Sequence, residues 1–199
     1  TTSTFDQLYR ETIPSVVSIY VDPDRYRPGG TGSGFVYDAE HVITNQHVVG
    51  DTEEVDLRFS DGSWGTGRTV GADAHTDLSV SRTGDLPTDA DPLPIAERAP
   101  TPGESVAALG NPMGLDGTIT TGIVSGVNRS SPTGSGFTIP DTIQTDAPIN
   151  PGNSGGPLFN TNACQNCHIK DGRGHPAQAR HANAVSMLVR LSIPAGPEH

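Results

Sequence analysis

Short runs of Val, Ile and Thr alternate with turns of Gly, Asp and Asn through the first half of the chain. The runs fall at 15–21, 32–37, 41–45, 55–59, 64–70 and 78–82, each of strand length and rich in the β-branched residues that suit a pleated surface. Six such runs predict a small antiparallel barrel. Ahead of them, Thr4-x-x-Gln7 resembles a capping box, and Phe5, Leu8, Tyr9 and Thr12 make one helical face that stops before Pro14, so a short N-terminal helix is expected. Strand signals resume at 105–109, 117–128, 138–139, 142–145 and 156–159. The stretch between the two sets carries Pro87, Pro92, Pro94, Pro100 and Pro102 among acidic residues, which is poor strand material. The pattern predicts an all-β protein with a barrel over 1–90, a linker over 91–103 and a second β unit over 104–160.

After about residue 160 the pattern fails. Residues 1–160 hold 21 acidic and 8 basic side chains, whereas 161–199 hold 2 and 4. Both cysteines, the only lysine and four of the seven histidines lie in that tail, where only 184–193 has an apolar run able to form a strand or helix. Charge reversal and lost alternation at one point are expected of a change of reading frame near Asn160.

Composition narrows the functional classes. At 199 residues the chain can bury a core, and its mean hydropathy of -0.38 describes a folded protein with a very polar surface. A formal net charge of -11 would repel phosphate backbones, which argues against nucleic acid. Eleven of the twelve basic residues are Arg, and an acidic, lysine-poor surface suits concentrated salt. No apolar run approaches the roughly 20 residues that span a bilayer. The opening Thr1-Thr2-Ser3 shows no basic-then-apolar leader, and a soluble chain is expected.

Chemistry concentrates in Asn150-Pro151-Gly152-Asn153-Ser154-Gly155-Gly156. The glycines permit a sharp bend that holds a serine hydroxyl outward and turns the amides of Gly152, Asn153 and Ser154 towards one point. Such fixed donors stabilise a developing oxyanion. Upstream, Thr44-Asn45-Gln46-His47-Val48-Val49 puts a histidine directly after a strand. Asp73-Ala74-His75-Thr76-Asp77-Leu78-Ser79-Val80 puts an aspartate at the start of another. The chain order His47, Asp77, Ser154 is that of chymotrypsin-like barrels, not of subtilisins or α/β-hydrolases. Asp73 and His75 are rivals within the same loop; Asp77 is preferred because it abuts the apolar strand.

Those stretches, with Ala108-Leu109-Gly110-Asn111-Pro112-Met113-Gly114-Leu115 and Gln144-Thr145-Asp146-Ala147-Pro148-Ile149 leading into the Ser154 loop, resemble the HtrA/Deg family of trypsin-like serine peptidases over about residues 6–160. The resemblance implies two perpendicular six-stranded barrels with the site between them. It also implies ATP-independent endoproteolysis of unfolded or damaged proteins, in quality control outside the cytoplasm, by a homotrimer. His47, Asp77 and Ser154 would form the triad, with Gly152, Asn153 and Ser154 as the oxyanion hole. Pro148, Ile149 and Asn150 would line one side of the S1 pocket.

The tail departs from that pattern, because the closing strands expected after the serine loop are replaced by Asn162-Ala163-Cys164-Gln165-Asn166-Cys167-His168. An incomplete second barrel is therefore expected. The alternative to an active peptidase is a truncated or inactive relative that at most binds unfolded polypeptide. Cys164-x-x-Cys167-His168 also matches a c-type haem attachment pattern, with Met187 or His181 as distal ligands, and Cys164, Cys167, His168 and His175 could bind zinc. Incidental thiols or a disulfide are the preferred reading, with no metal and no cofactor.

Overall fold

A computed structural model describes residues 4–21, 30–84, 86–96, 98–111, 117–132, 138–160 and 185–187. The amphipathic opening forms helix α1 (Thr4–Thr12), which buries Leu8 and Thr12. Thr4, expected as its cap, is itself helical. Pro14 lies in a single 3₁₀ turn, Ile13–Ser15, where its missing N–H costs nothing.

The next six strands are β1 (Val16–Val21), β2 (Gly30–Val36), β3 (His41–Asn45), β4 (Glu54–Arg58), β5 (Trp64–Asp73) and β6 (Leu78–Arg82), with a one-turn helix α2 (Gln46–Val49) after β3. They close into a barrel in the order β1-β2-β3-β6-β5-β4. Closure comes from the antiparallel pairing of β1 with β4, where Ile19 faces Leu57.

A second sheet holds β7 (Ser105–Gly110), β8 (Thr118–Pro132), β9 (Thr138–Thr145), β10 (Pro157–Asn160) and β11 (Val185–Met187) in the order β11-β10-β7-β8-β9. Among the described residues it has five strands, one short of the expected six. β8 serves two neighbours: its first half pairs with β7 and its second with β9, through three register shifts. The two expected runs at 138–139 and 142–145 are one strand, with Asp141 at φ +56 absorbing the irregularity between them. Asp tolerates that left-handed conformation better than most residues.

β11 comes from the one apolar run in the tail. It pairs with β10, Leu158 facing Ser186, and so covers a backbone edge that would otherwise stand open. The rest of 161–199, including the Cys164-Cys167-His168 pattern, His175, His181 and the expected frame change, lies outside the described residues.

Alternation along the strands explains three cores. Val17 and Ile19 of β1 point into the barrel with Val36, Val42, Val55, Leu57 and Phe59. Val16 points the other way and meets Leu8, Phe35, Leu93, Ala107, Leu109 and Phe159, so this second cluster joins α1, both β units and the proline-rich stretch. Ala107 and Leu109 of β7 serve that cluster, whereas Val106 and Ala108 serve the third, with Val124 and Leu158. Strands buried on both faces read as continuous apolar runs. Full burial of Phe35 and Phe159 contributes about 1.5–3 kcal/mol each. The proline-rich stretch is tied to the barrel, since Leu93 N–H donates to Val36 O at 2.9 Å and the Ser15 hydroxyl donates to Asp91 O at 2.5 Å.

Candidate active site

The register of β3 with β6 builds the first half of the site. Asn45, last in β3, faces Leu78, first in β6, so residues just beyond those ends meet at the barrel rim. The ladder continues one step, with Gln46 N–H donating to Asp77 O at 3.0 Å. Asn45 Nδ2 donates to the same carbonyl at 2.9 Å. The chain then turns into α2, which carries His47.

Asp77 meets that turn with both carboxylate oxygens. His47 Nδ1 lies 2.8 Å from Oδ2 and 3.0 Å from Oδ1, and His47 N–H donates to Oδ1 at 2.9 Å. The side chain of Asp77 is 6% exposed, that of His47 48%. A buried carboxylate thus fixes one edge of an imidazole whose other edge faces solvent. The rivals are occupied elsewhere: Asp73 accepts from His75 N–H at 2.9 Å and from the Thr76 hydroxyl at 2.9 Å. Those bonds, that of the His75 amide foremost, hold the exposed Asp73 carboxyl below its ordinary range.

The serine loop reaches the first barrel from the second sheet. Gly152 and Gly155 have φ of +101° and +84°, values that L side chains rarely adopt. Gly155 also sits where a Cβ would lie 2.2 Å from Ser33 O and 2.3 Å from Thr44 Oγ1. This close approach brings Ser154 O to 2.8 Å from Ser33 N, which donates to it.

Of the three expected oxyanion donors, one is engaged within the loop. Asn153 N–H donates to Asn150 O at 3.0 Å, whereas among the described residues the amides of Gly152 and Ser154 have no backbone acceptor. Among the described residues, the Ser154 hydroxyl and the His47 ring share no hydrogen bond. Such bonds are often long in unliganded enzymes and tighten with substrate. Pro148 and Asn150 are exposed, while the half-buried Ile149 packs against the third core.

The sequence did not single out the residues that support this loop. Ser33 is fully buried, and Thr44 Oγ1 donates to its carbonyl at 2.7 Å. The signal was Gly32-Ser33-Gly34 inside a strand, since glycines there mark close backbone approach; a Cβ on Gly32 would lie 3.2 Å from Ser154 O.

Among the described residues no group of three or more His, Cys, Asp or Glu could hold a metal ion. No helix among them is long and apolar enough to cross a membrane.

A barrel rim carrying a His–Asp pair, beside a glycine-bent serine loop, has the residue types of a serine-peptidase class of site. The trypsin-like peptidase domain family matches residues 32–165. The chloroplastic Protease Do-like 1 of Arabidopsis thaliana is 40% identical over 167 residues, covering 78% of this chain and 38% of the relative. The putative serine protease HhoB of Synechocystis is 45% identical over 143 residues, covering 67% of this chain and 32% of the relative. Among solved structures, Deg5 aligns with a TM-score of 0.66 and 36% identity, covering 80% of each chain. An HtrA-type protease, AlgW S227A with a tripeptide, aligns with a TM-score of 0.69 and 30% identity, covering 80% of this chain and 51% of that one. The chain belongs to the HtrA/Deg family of trypsin-like peptidases. It spans about a third of the length of these two curated relatives.

Proposed function

We propose that this chain is a serine endopeptidase that cleaves unfolded or damaged polypeptides through an acyl-enzyme. The observation that carries the reading is the buried Asp77 carboxylate against His47 Nδ1, beside a serine loop in which two amides have no acceptor among the described residues. His47 Nε2 takes the proton from Ser154 Oγ as the oxygen attacks a peptide carbonyl. The oxyanion accepts from the amides of Gly152 and Ser154. Collapse of the tetrahedral intermediate breaks the C–N bond, the leaving amine takes the proton from Nε2, and water releases the acyl group by the same steps reversed. Asp77 holds the Nδ1 proton and stabilises the imidazolium without being protonated.

Pro148, Ile149 and Asn150 form one wall of the S1 pocket in this reading. The family resemblance supports a homotrimer outside the cytoplasm, and periplasmic DegP-like proteases are among the relatives. Sedimentation of the purified chain tests the assembly.

The test of activity is labelling with a fluorophosphonate, together with hydrolysis of a reduced, unfolded protein. Wild type should react at Ser154 and cleave, whereas Ser154→Ala should do neither, with kcat down about 10⁴- to 10⁶-fold. A folded wild type that neither labels nor cleaves would overturn the reading. The lack of a Ser154–His47 hydrogen bond and the five strands of the second sheet among the described residues favour an inactive, polypeptide-binding relative in that event.

A further inference from the structure

We infer that Ser33, in the first barrel, is a positioning residue that sets the orientation of the oxyanion loop carried by the second sheet. The inference rests on the peptidase reading above for its catalytic consequence, but its structural content stands separately.

Ser33 grips the loop at two carbonyls. Its N–H donates to Ser154 O at 2.8 Å and its hydroxyl donates to Gly152 O at 2.6 Å. The direction of the second bond follows from the other neighbour. Asn111 N–H, just beyond β7, donates to Ser33 Oγ at 2.8 Å. A hydroxyl has one proton; with Asn111 acting only as donor, that proton goes to Gly152 O.

The Gly152–Asn153 peptide is thereby fixed at both ends, its oxygen by Ser33 and its N–H by Asn150 O. The Ser154–Gly155 peptide is fixed at its oxygen. Between and beside these two planes lie the N–H groups of Ser154 and Gly152, which are the available oxyanion donors. A glycine at φ +101° has low barriers to other orientations, so the Gly152 peptide needs an external hold. Ser33 supplies it from the other β unit, 119 residues away in sequence.

Ser33 is itself held. It is fully buried, its carbonyl accepts from Thr44 Oγ1 at 2.7 Å, and its strand is paired on both sides. Asn111 in turn accepts Gly117 N–H on Oδ1 at 2.7 Å, and Tyr9 of α1 donates to Gly117 O at 3.0 Å. The hydroxyl of Ser33 joins this network to Gly152 O, while the Ser33 N–H holds Ser154 O. Removal of the hydroxyl leaves Gly152 O and Asn111 N–H without these partners in the interior.

The experiment compares wild type, Ser33→Ala and Ser33→Cys with a control, Thr142→Val. Cysteine fills nearly the same space with a poor donor. Thr142 is a buried residue whose hydroxyl donates to Arg129 O at 2.9 Å, away from the loop. In ¹⁵N-labelled protein, the amide signals of Gly152, Asn153 and Ser154 should shift and broaden in Ser33→Ala, change less in Ser33→Cys, and match wild type in Thr142→Val. Kinetically, Ser33→Ala should lower kcat about 10²-fold with KM within about twofold. Its affinity for a peptide boronate should fall in parallel, because that adduct places an oxygen between the two amides. Loop signals that stay sharp and unshifted in the folded Ser33 variants would overturn the inference whether or not the wild type cleaves peptides. Wild-type kcat in those variants would overturn it too. A silent wild type with disturbed loop signals in Ser33→Ala would instead retain the inference and overturn the peptidase reading.

Discussion

Asp77 holds His47 twice, with Oδ2 2.8 Å from the ring Nδ1 and Oδ1 2.9 Å from the main-chain N–H. One buried carboxylate therefore fixes both the start of the short helix that carries the histidine and the rotation of its ring. Its own backbone is unusual, at φ +57°.

This double hold separates two substitutions. Asn accepts the left-handed backbone and keeps an oxygen for the His47 amide, so Asp77→Asn should fold with little loss. It presents the wrong partner to Nδ1, and kcat should fall about 10⁴-fold. Asp77→Ala removes both bonds and strains the backbone, with a stability loss of about 2–3 kcal/mol. Urea unfolding and peptidase assays on the two variants check this; equal stability would contradict the double role.

Space and dihedral together govern Gly155. A methyl group would collide with Ser33 O and Thr44 Oγ1 at φ +84°, so Gly155→Ala should destabilise by about 2–4 kcal/mol and abolish labelling of Ser154. Gly71→Ala meets nothing within 4 Å and should stay within about 0.5 kcal/mol of wild type. Chemical denaturation of both variants measures the contrast.

Glu104 supplies a pH dependence. Burial pushes its carboxyl up, but bonds from Arg98 and Thr101 more than offset this and leave it below 4.5, its ordinary value. Arg98 Nη2 donates to Oε1 at 2.8 Å and Asn160 Nδ2, at the end of β10, donates to Oε2. A depressed folded pKa means that this stabilisation is present above 4.5 and is lost as pH falls through the lowered value. Glu104→Gln should lower the unfolding free energy by about 1 kcal/mol at neutral pH. The gap to wild type should close on acidification below the ordinary Glu range. A pH-independent gap in thermal scans would count against the linkage.

Salt offers a test of the surface. With a net charge of -11, self-repulsion opposes the compact state, and raising salt from about 0.1 to 1 M shortens the screening length from about 10 to 3 Å. The melting temperature should rise across that range in sodium chloride. A flat or falling melting temperature would remove the case for an adaptation to concentrated salt.

Much of the fold was legible because short-range patterns encode it. The runs at 41–45 and 78–82 are β3 and β6 to the residue, since β-branched segments between turns have one good local solution. Pro140 and Asp141 interrupt the strand pattern between 138–139 and 142–145, and sheet pairing with β8 overrides that local preference. The fifth strand of the second sheet was less visible still. Three residues of weak pattern become a strand only because β10 offers them an edge.

By itself the sequence determined an all-β protein, the order His47, Asp77, Ser154 and a glycine-bent serine loop, since these follow from local periodicity and residue chemistry. Only the tertiary structure decided which aspartate meets His47, because that depends on the pairing of Asn45 with Leu78. It also decided that the Asn153 amide turns back to Asn150, a bond that no local pattern encodes. The hold of Ser33 on Gly152 belongs to the same level. A hydrogen bond between residues 119 positions apart exists only once the shared core of Val16, Phe35, Leu109 and Phe159 has brought the two β units together.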